Sequence, residues 1–317
     1  MQQGFREPQP LLQALGVAIP AERLSREAAN GFAMRVTASY ARQMRPGDAD
    51  DPLLRQVLPL AEELLSPPGF SEDPVGDGCA RQLPGLLQKY PGRALLLVTA
   101  ACPLHCRYCF RRAYPYAGDR LTGERLEAIL AQLRGDPTLH ELILSGGDPL
   151  MVEDQRLAAL LERLATLPQL RRVRIHSRVP VALPERITPQ LCSLLAGYRL
   201  PLVLVLHCNH PRELSPEVAE GLAALRRAGV SLLNQAVLLR GVNADQTTLC
   251  ELSERLFACG VLPYYLHLLD RVTGSAHFAV SAEQGRELIA RLRHVLPGYL
   301  VPRLVREVAG EGCKTPV

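Results

Sequence analysis

The chain has 317 residues, 47% of them apolar and 21% charged, enough for one large α/β domain with an appendage and a sizeable buried core. Its formal net charge of +4 is spread without any basic block, so no nucleic-acid partner is expected. No apolar run nears the roughly 18 residues of a membrane helix, and the start lacks the basic-then-apolar order of a leader, so neither is expected.

Residues 1–65 read as polar and helical, amphipathic around 11–24 and 53–65. A Pro/Gly-rich stretch from Ser66-Pro-Pro-Gly-Phe to Pro84-Gly85 reads as an irregular linker. From Arg93 the pattern changes. Short runs rich in Val, Ile and Leu at 94–99, 141–145, 173–176, 202–207, 232–239 and 262–268 lack strict alternation, as parallel strands covered on both faces do. Between them lie helical segments at 125–133, 154–167, 189–196, 216–228, 247–258 and 282–295, two of them followed by Gly229 and Gly260 where a C-cap glycine belongs.

Six strand-then-helix units point to a partial (β/α)6 TIM-like barrel, with a doubly wound open sheet as the alternative. In both, reactive residues gather at the carboxyl ends of the strands. The expected divisions are a helical region and linker over 1–88, the barrel over 89–300 and a short tail over 301–317.

Nine cysteines include six scattered ones (Cys79, Cys192, Cys208, Cys250, Cys259 and Cys313), which make no disulfide framework and suit a reducing, cytoplasmic compartment. The other three form Cys102-Pro-Leu-His-Cys106-Arg-Tyr-Cys109, directly after the first strand. Thiolates hold iron–sulfur clusters, and a four-iron cluster normally takes four of them. Three leave one iron open to chelate S-adenosylmethionine (SAM) and pass an electron into its sulfonium. The competing reading is zinc on the three thiols plus His105 or a distant His, but zinc sites usually pair two C-x2-C halves and no second half exists. The spacing favours a [4Fe–4S] cluster.

The second strand ends in Ser145-Gly146-Gly147-Asp148, which reads either as close backbone approach to a ligand or as a tight turn with Asp148 capping the next helix. The third ends in His176-Ser177-Arg178, where the arginine suits an anion or a salt bridge. Asn234-Gln235 in the fifth run are amides needing partners, supplied by ligand or core, and His207 and His210 read first as structural polar groups.

These motifs, with Arg174-Ile-His-Ser-Arg-Val-Pro, Asn234-Gln-Ala-Val-Leu-Leu-Arg-Gly-Val-Asn and the terminal Lys314-Thr-Pro, together resemble the lysine 2,3-aminomutase family from about residue 50 to the end. Asp51-Pro-Leu-Leu-Arg-Gln-Val, Pro68-Gly-Phe and Pro263-Tyr-Tyr-Leu-His resemble its short-chain branch, which acts for translation elongation factor P.

The resemblance implies an isomerase using a [4Fe–4S] cluster, SAM and pyridoxal 5′-phosphate (PLP) to turn free L-α-lysine into β-lysine. It places the cluster on Cys102, Cys106 and Cys109 and the PLP Schiff base on Lys314. Tyr90 and Arg93 match PLP contacts, and Arg111 the grip on the substrate carboxylate. Asp270 and Glu307 match the pair on the distant ammonium, with Glu where the long-chain enzymes have Asp. Ser145, Gly146, Gly147, Asp148, Arg178 and Gln235 fall in cofactor motifs, with SAM the expected partner of Asp148 and Gln235. The zinc-binding extension of the long-chain enzymes is lacking after Lys314, as in the short-chain branch. Implied partners are a low-potential electron donor of flavodoxin or ferredoxin type, and elongation factor P with its lysyl-modifying ligase. An aminomutase for another amino acid such as arginine, and a non-catalytic iron–sulfur or zinc protein, are the alternatives.

Overall fold

The computed structural model describes residues 4–65 and 67–317, so the reading of the first three residues and of Ser66 falls outside the described part. Four short helices build the amino-terminal region: α1 (Pro8–Leu15), α2 (Arg26–Gly31), α3 (Ala38–Ala41) and α4 (Pro52–Arg55). Side chains start three of them, Ser25 Oγ accepting from Ala28 N, Thr37 Oγ1 from Tyr40 N and Asp51 Oδ1 from Leu53 and Leu54 N. Leu11, Tyr40, Leu53 and Leu54 on these helices, and Val36 between them, are buried in the core of the whole molecule.

The stretch expected to be an irregular linker contains β1 (Arg81–Leu83), which pairs antiparallel with β2 (Leu86–Tyr90). Its Pro84-Gly85 is a hairpin turn with Gly85 at φ +87, a conformation glycine adopts without strain. β2 returns antiparallel onto β3 (Arg93–Thr99). From there strand and helix alternate: α5 (Gly123–Arg134), β4 (Glu141–Gly146), α6 (Asp154–Leu164), β5 (Arg172–Ser177), α7 (Val179–Ala182), α8 (Pro189–Ala196), β6 (Leu202–Leu206), α9 (Pro216–Arg227), β7 (Ser231–Val237), α10 (Gln246–Ala258), β8 (Leu262–His267) and α11 (Ala282–Val295). β9 (Arg303–Arg306) and β10 (Thr315–Pro316) complete the chain.

The ten strands lie in sequence order, and β3 through β9 are parallel. A doubly wound sheet reverses its strand order at a switch point. This one adds each strand on the same side, the order of a partial barrel. All six residues of β4 are buried, which explains an apolar run without alternation. Gly229 and Gly260 take φ +80 and +75 after α9 and α10, as C-cap glycines do. The sheet crosses both expected divisions, since β2 pairs across residue 88 and β9 extends the sheet past residue 300. No helix among the described residues is long and apolar enough to cross a membrane.

Candidate active site

The cysteine loop leaves the carboxyl end of β3 and is stapled by the amino-terminal region. His105 N and Arg107 N donate to Arg35 O (3.0 Å) and Gln56 O (2.9 Å). The Arg107 side chain, fully buried, donates to both carboxylate oxygens of Glu63 at 2.7 Å and to Ala28 O at 2.9 Å. Arg112 reaches the same Glu63 carboxylate at 2.8 Å. Burial first, then Asp148 and the neighbouring thiols, push the Cys102 thiol well up, and burial and Cys106 push Cys109 to about 11.

Crowded neutral thiols of this kind suit a metal group, which deprotonates its ligands outright. Among the described residues no three His, Cys, Asp or Glu side chains are grouped around a point one metal ion would fill. Cys102, Cys106 and Cys109 are three thiols on one loop, which can ligate three corners of a four-iron cube and leave the fourth iron without a protein thiolate. The donor set therefore fits the cluster.

The next strand ends converge on this loop. At β4, a Cβ on Gly146 would meet Thr99 O at 2.3 Å, and one on Gly147 would meet Ala101 O at 2.4 Å. The two glycines thus let the cysteine loop's own backbone press against β4, and Gly147 N and Asp148 N donate to Thr99 O and Ala101 O at 2.7 and 2.8 Å. The buried Asp148 carboxylate accepts from Leu150 N, Ser177 Oγ, Arg178 N and Val179 N at 2.7–3.1 Å. Burial still lifts it to about 6, those donors acting against the rise.

Asp148 therefore ties the end of β4 to the end of β5, where Arg178 turns its guanidinium toward Cys106. Asn234 is a core amide, exchanging two 3.0 Å bonds with the Cys208 backbone. Gln235 instead meets the His207 ring at 2.9 Å. His210 Nδ1 caps the short turn at Arg212. Among the described residues His176 and His267 each keep a buried Nε2 without a partner. Burial holds the imidazoles of His176, His207 and His267 far below their ordinary value, His207 at about 3. Neutral rings with a spare nitrogen suit a polar ligand such as SAM.

A chain of charges runs from the cysteine loop to the tail. Arg111 Nε donates to Asp77 Oδ2 at 2.6 Å and its Nη1 to Ser145 Oγ at 3.0 Å. Asp77 Oδ1 lies 2.7 Å from Lys89 Nζ, which lies 3.7 Å from Glu307 Oε1. Tyr90 donates to Glu307 Oε1 at 2.6 Å, and Lys314 Nζ to Glu307 Oε2 at 2.9 Å. The Arg93 guanidinium stacks 4.8 Å over the Tyr90 ring, and Lys314 Nζ sits 5.9 Å from the Tyr265 ring centre.

The tail holds Lys314 there by pairing Thr315 and Pro316 antiparallel with β9. Burial pushes Glu307 up, but Lys314, Tyr90 and Lys89 outweigh it and hold the carboxyl below its ordinary value. Burial lifts Asp270 to about 7, against the pull of Lys314, with Glu307 adding to the rise. One amine beside an aromatic ring and several cations is a donor set that fits PLP.

The structure thus groups Arg111, Ser145, Tyr90, Arg93, Glu307, Lys314 and Asp270 in one charged cluster, and Gly146, Gly147, Asp148 and Arg178 around the cysteine loop. Sequence reasoning missed Asp77 and Lys89, the two links joining Arg111 to Glu307, although Gly76-Asp77-Gly78 carries a turn signal. It also missed Glu63, Gln56 and Tyr40, whose roles arise only when the amino-terminal region folds over the barrel.

The Radical SAM superfamily model matches residues 96–252. An L-lysine 2,3-aminomutase of Escherichia coli (strain K12) is 46% identical over 98% of this chain and 91% of its own length. One from Haemophilus influenzae is 41% identical over 99% of this chain and 93% of its own. One from Clostridium subterminale is 39% identical over 90% of this chain and 68% of its own.

Proposed function

The chain belongs to the lysine 2,3-aminomutase family of radical SAM enzymes, and on that footing we propose that it converts L-α-lysine to β-lysine. Cys102, Cys106 and Cys109 would hold the [4Fe–4S] cluster beside SAM, and Lys314 would hold PLP. When bound, the cluster and SAM supply one-electron hydrogen abstraction, and PLP supplies the carbonyl that carries the migrating nitrogen.

The protein's part is alignment. Arg111, oriented by Asp77 at 2.6 Å, offers its fork to the substrate carboxylate. Asp270 and Glu307 receive the side-chain ammonium, and Tyr90 fixes Glu307 in place. Fixing both ends of a flexible chain selects which C–H bond faces the reagent.

The observation that carries this reading is the Lys314 ammonium lying 2.9 Å from Glu307, with Asp270 in its field. A substrate ammonium is chemically the same group. Two acidic side chains would repel the second carboxylate of glutamate, so a basic substrate is favoured.

The link to elongation factor P is proposed from the likeness of Asp51–Val57 and Pro263–His267 to the short-chain branch; β-lysine would then be the donor for modifying a lysine of that factor. A low-potential electron donor of flavodoxin or ferredoxin type would reduce the cluster. The test is mass-resolved product analysis after anaerobic incubation of reconstituted protein with lysine or arginine, SAM, PLP and dithionite. β-Lysine is the expected product; β-arginine alone would overturn the substrate assignment, and no β-amino acid from either would overturn the reaction class.

A further inference from the structure

Arg178 stands apart from the substrate cluster, and nothing in the proposed alignment uses it. It is 4% exposed, at the carboxyl end of β5, and its Nη1 donates to Cys106 Sγ at 3.0 Å. Among the described residues this is the one side-chain hydrogen bond made to any of the three cysteine sulfurs.

The guanidinium is held from several directions. Nη1 also meets the Tyr108 hydroxyl, on the cysteine loop itself. Nη2 donates to Gln56 Oε1 at 2.8 Å, to the Tyr40 hydroxyl at 3.2 Å and to Glu213 Oε2 at 3.3 Å. Asn209 Nδ2 donates to the same Tyr108 and Gln56 oxygens at 2.6 and 3.0 Å. Asp148 fixes the backbone beneath, accepting from Arg178 N at 2.7 Å. Among the described residues Glu213, wholly buried, is the one carboxylate in contact with the guanidinium. So much fixation of one cation against one sulfur calls for a role.

We propose that Arg178 is a positioning residue that sets the reduction potential of the cluster through Cys106, resting on the assignment of the cluster to the three cysteines. A hydrogen bond and a fixed positive charge at a ligand sulfur stabilise the form carrying the extra electron and raise the potential of the one-electron couple. Glu213 is the counterweight, partly cancelling the charge. Tyr40 and Gln56 belong to the amino-terminal region, so that region contributes to the electronics of a cluster held by the barrel.

The test is an EPR-monitored redox titration of anaerobically reconstituted wild type, Arg178→Lys, Arg178→Met and Glu213→Gln, each with iron and sulfide content measured. Arg178→Met should shift the reduced-to-oxidised ratio at fixed potential about tenfold toward oxidised, equivalent to ~59 mV for one electron. Arg178→Lys, keeping charge but losing the fork, should shift the same way by less. Glu213→Gln should shift the opposite way, and it reads the proposal even where Arg178→Met fails to retain iron. Iron-replete variants titrating with the wild-type midpoint would overturn the role of Arg178 while leaving the cluster in place. A wild type without a four-iron signal would overturn the cluster assignment and the proposal with it.

Discussion

Asp270 shows how burial sets the terms of recognition. Its carboxyl is lifted to about 7 by desolvation, with Lys314 and Lys89 pulling down and Glu307 and Asp77 pushing up. Only the ionised form attracts an ammonium, so kcat/KM for lysine is expected to rise with pH and level off above about 7. Asp270→Asn should abolish that limb and lower kcat/KM by roughly 10- to 100-fold, the worth of one charged hydrogen bond. A pH–rate profile of both proteins checks this; an unchanged limb in the variant would assign it elsewhere.

The same shift acts on stability. A folded value above the unfolded 3.8 means that the folded state binds the extra proton. The contribution of Asp270 is thus fully present below about 4 and is lost as pH rises through about 7. Glu63 acts on stability by pairing instead, its buried carboxylate lying between the buried Arg107 and the partly buried Arg112 guanidinium groups. Glu63→Gln leaves Arg107 and Arg112 uncompensated and should cost about 3–5 kcal/mol by denaturant titration, because a buried charge is left without its partner. A change under about 1 kcal/mol would show that water reaches the pair.

Among the elements, the parallel strands and their helices were legible because both signals are local. Apolar runs bounded by caps give β3–β8, and Thr188-Pro189 and Ser281 with Gln284 start α8 and α11 at the expected residues. The elements that escaped are short or on an edge. β1 has three residues in a Pro/Gly-rich stretch, β9 has four, and β10 has two. A two-residue strand carries no periodicity; it exists because β9 offers an open edge to the tail, where Val317 N also donates to Leu304 O at 3.1 Å. Deleting residues 315–317 should therefore free Lys314 and reduce PLP retained after gel filtration about tenfold, the loss expected from roughly two hydrogen bonds. Full retention would show that Glu307 alone holds the lysine.

At the scale of the whole molecule, the parallel strands deliver one chemical group after another along a single sheet. The cysteines follow β3, Ser145 and the glycines end β4, Arg178 follows β5, His207 follows β6, Asp270 follows β8 and Glu307 follows β9. The three cysteines are proposed from motif spacing, and Lys314 from family resemblance alone. The links between them were not legible in the sequence, because Asp77, Lys89 and Gln56 gain meaning only from side chains 34, 218 and 122 residues away, in Arg111, Glu307 and Arg178.

An aminomutase moves the α-amine to the neighbouring carbon within one lysine molecule. The direct measurement is NMR of the product formed from lysine labelled with carbon-13 at C2 and nitrogen-15 on the α-amine. The expected product has its labelled nitrogen bonded to C3, with the one-bond coupling to C2 lost. Lysine recovered with that coupling intact, while SAM is consumed, would contradict the assignment.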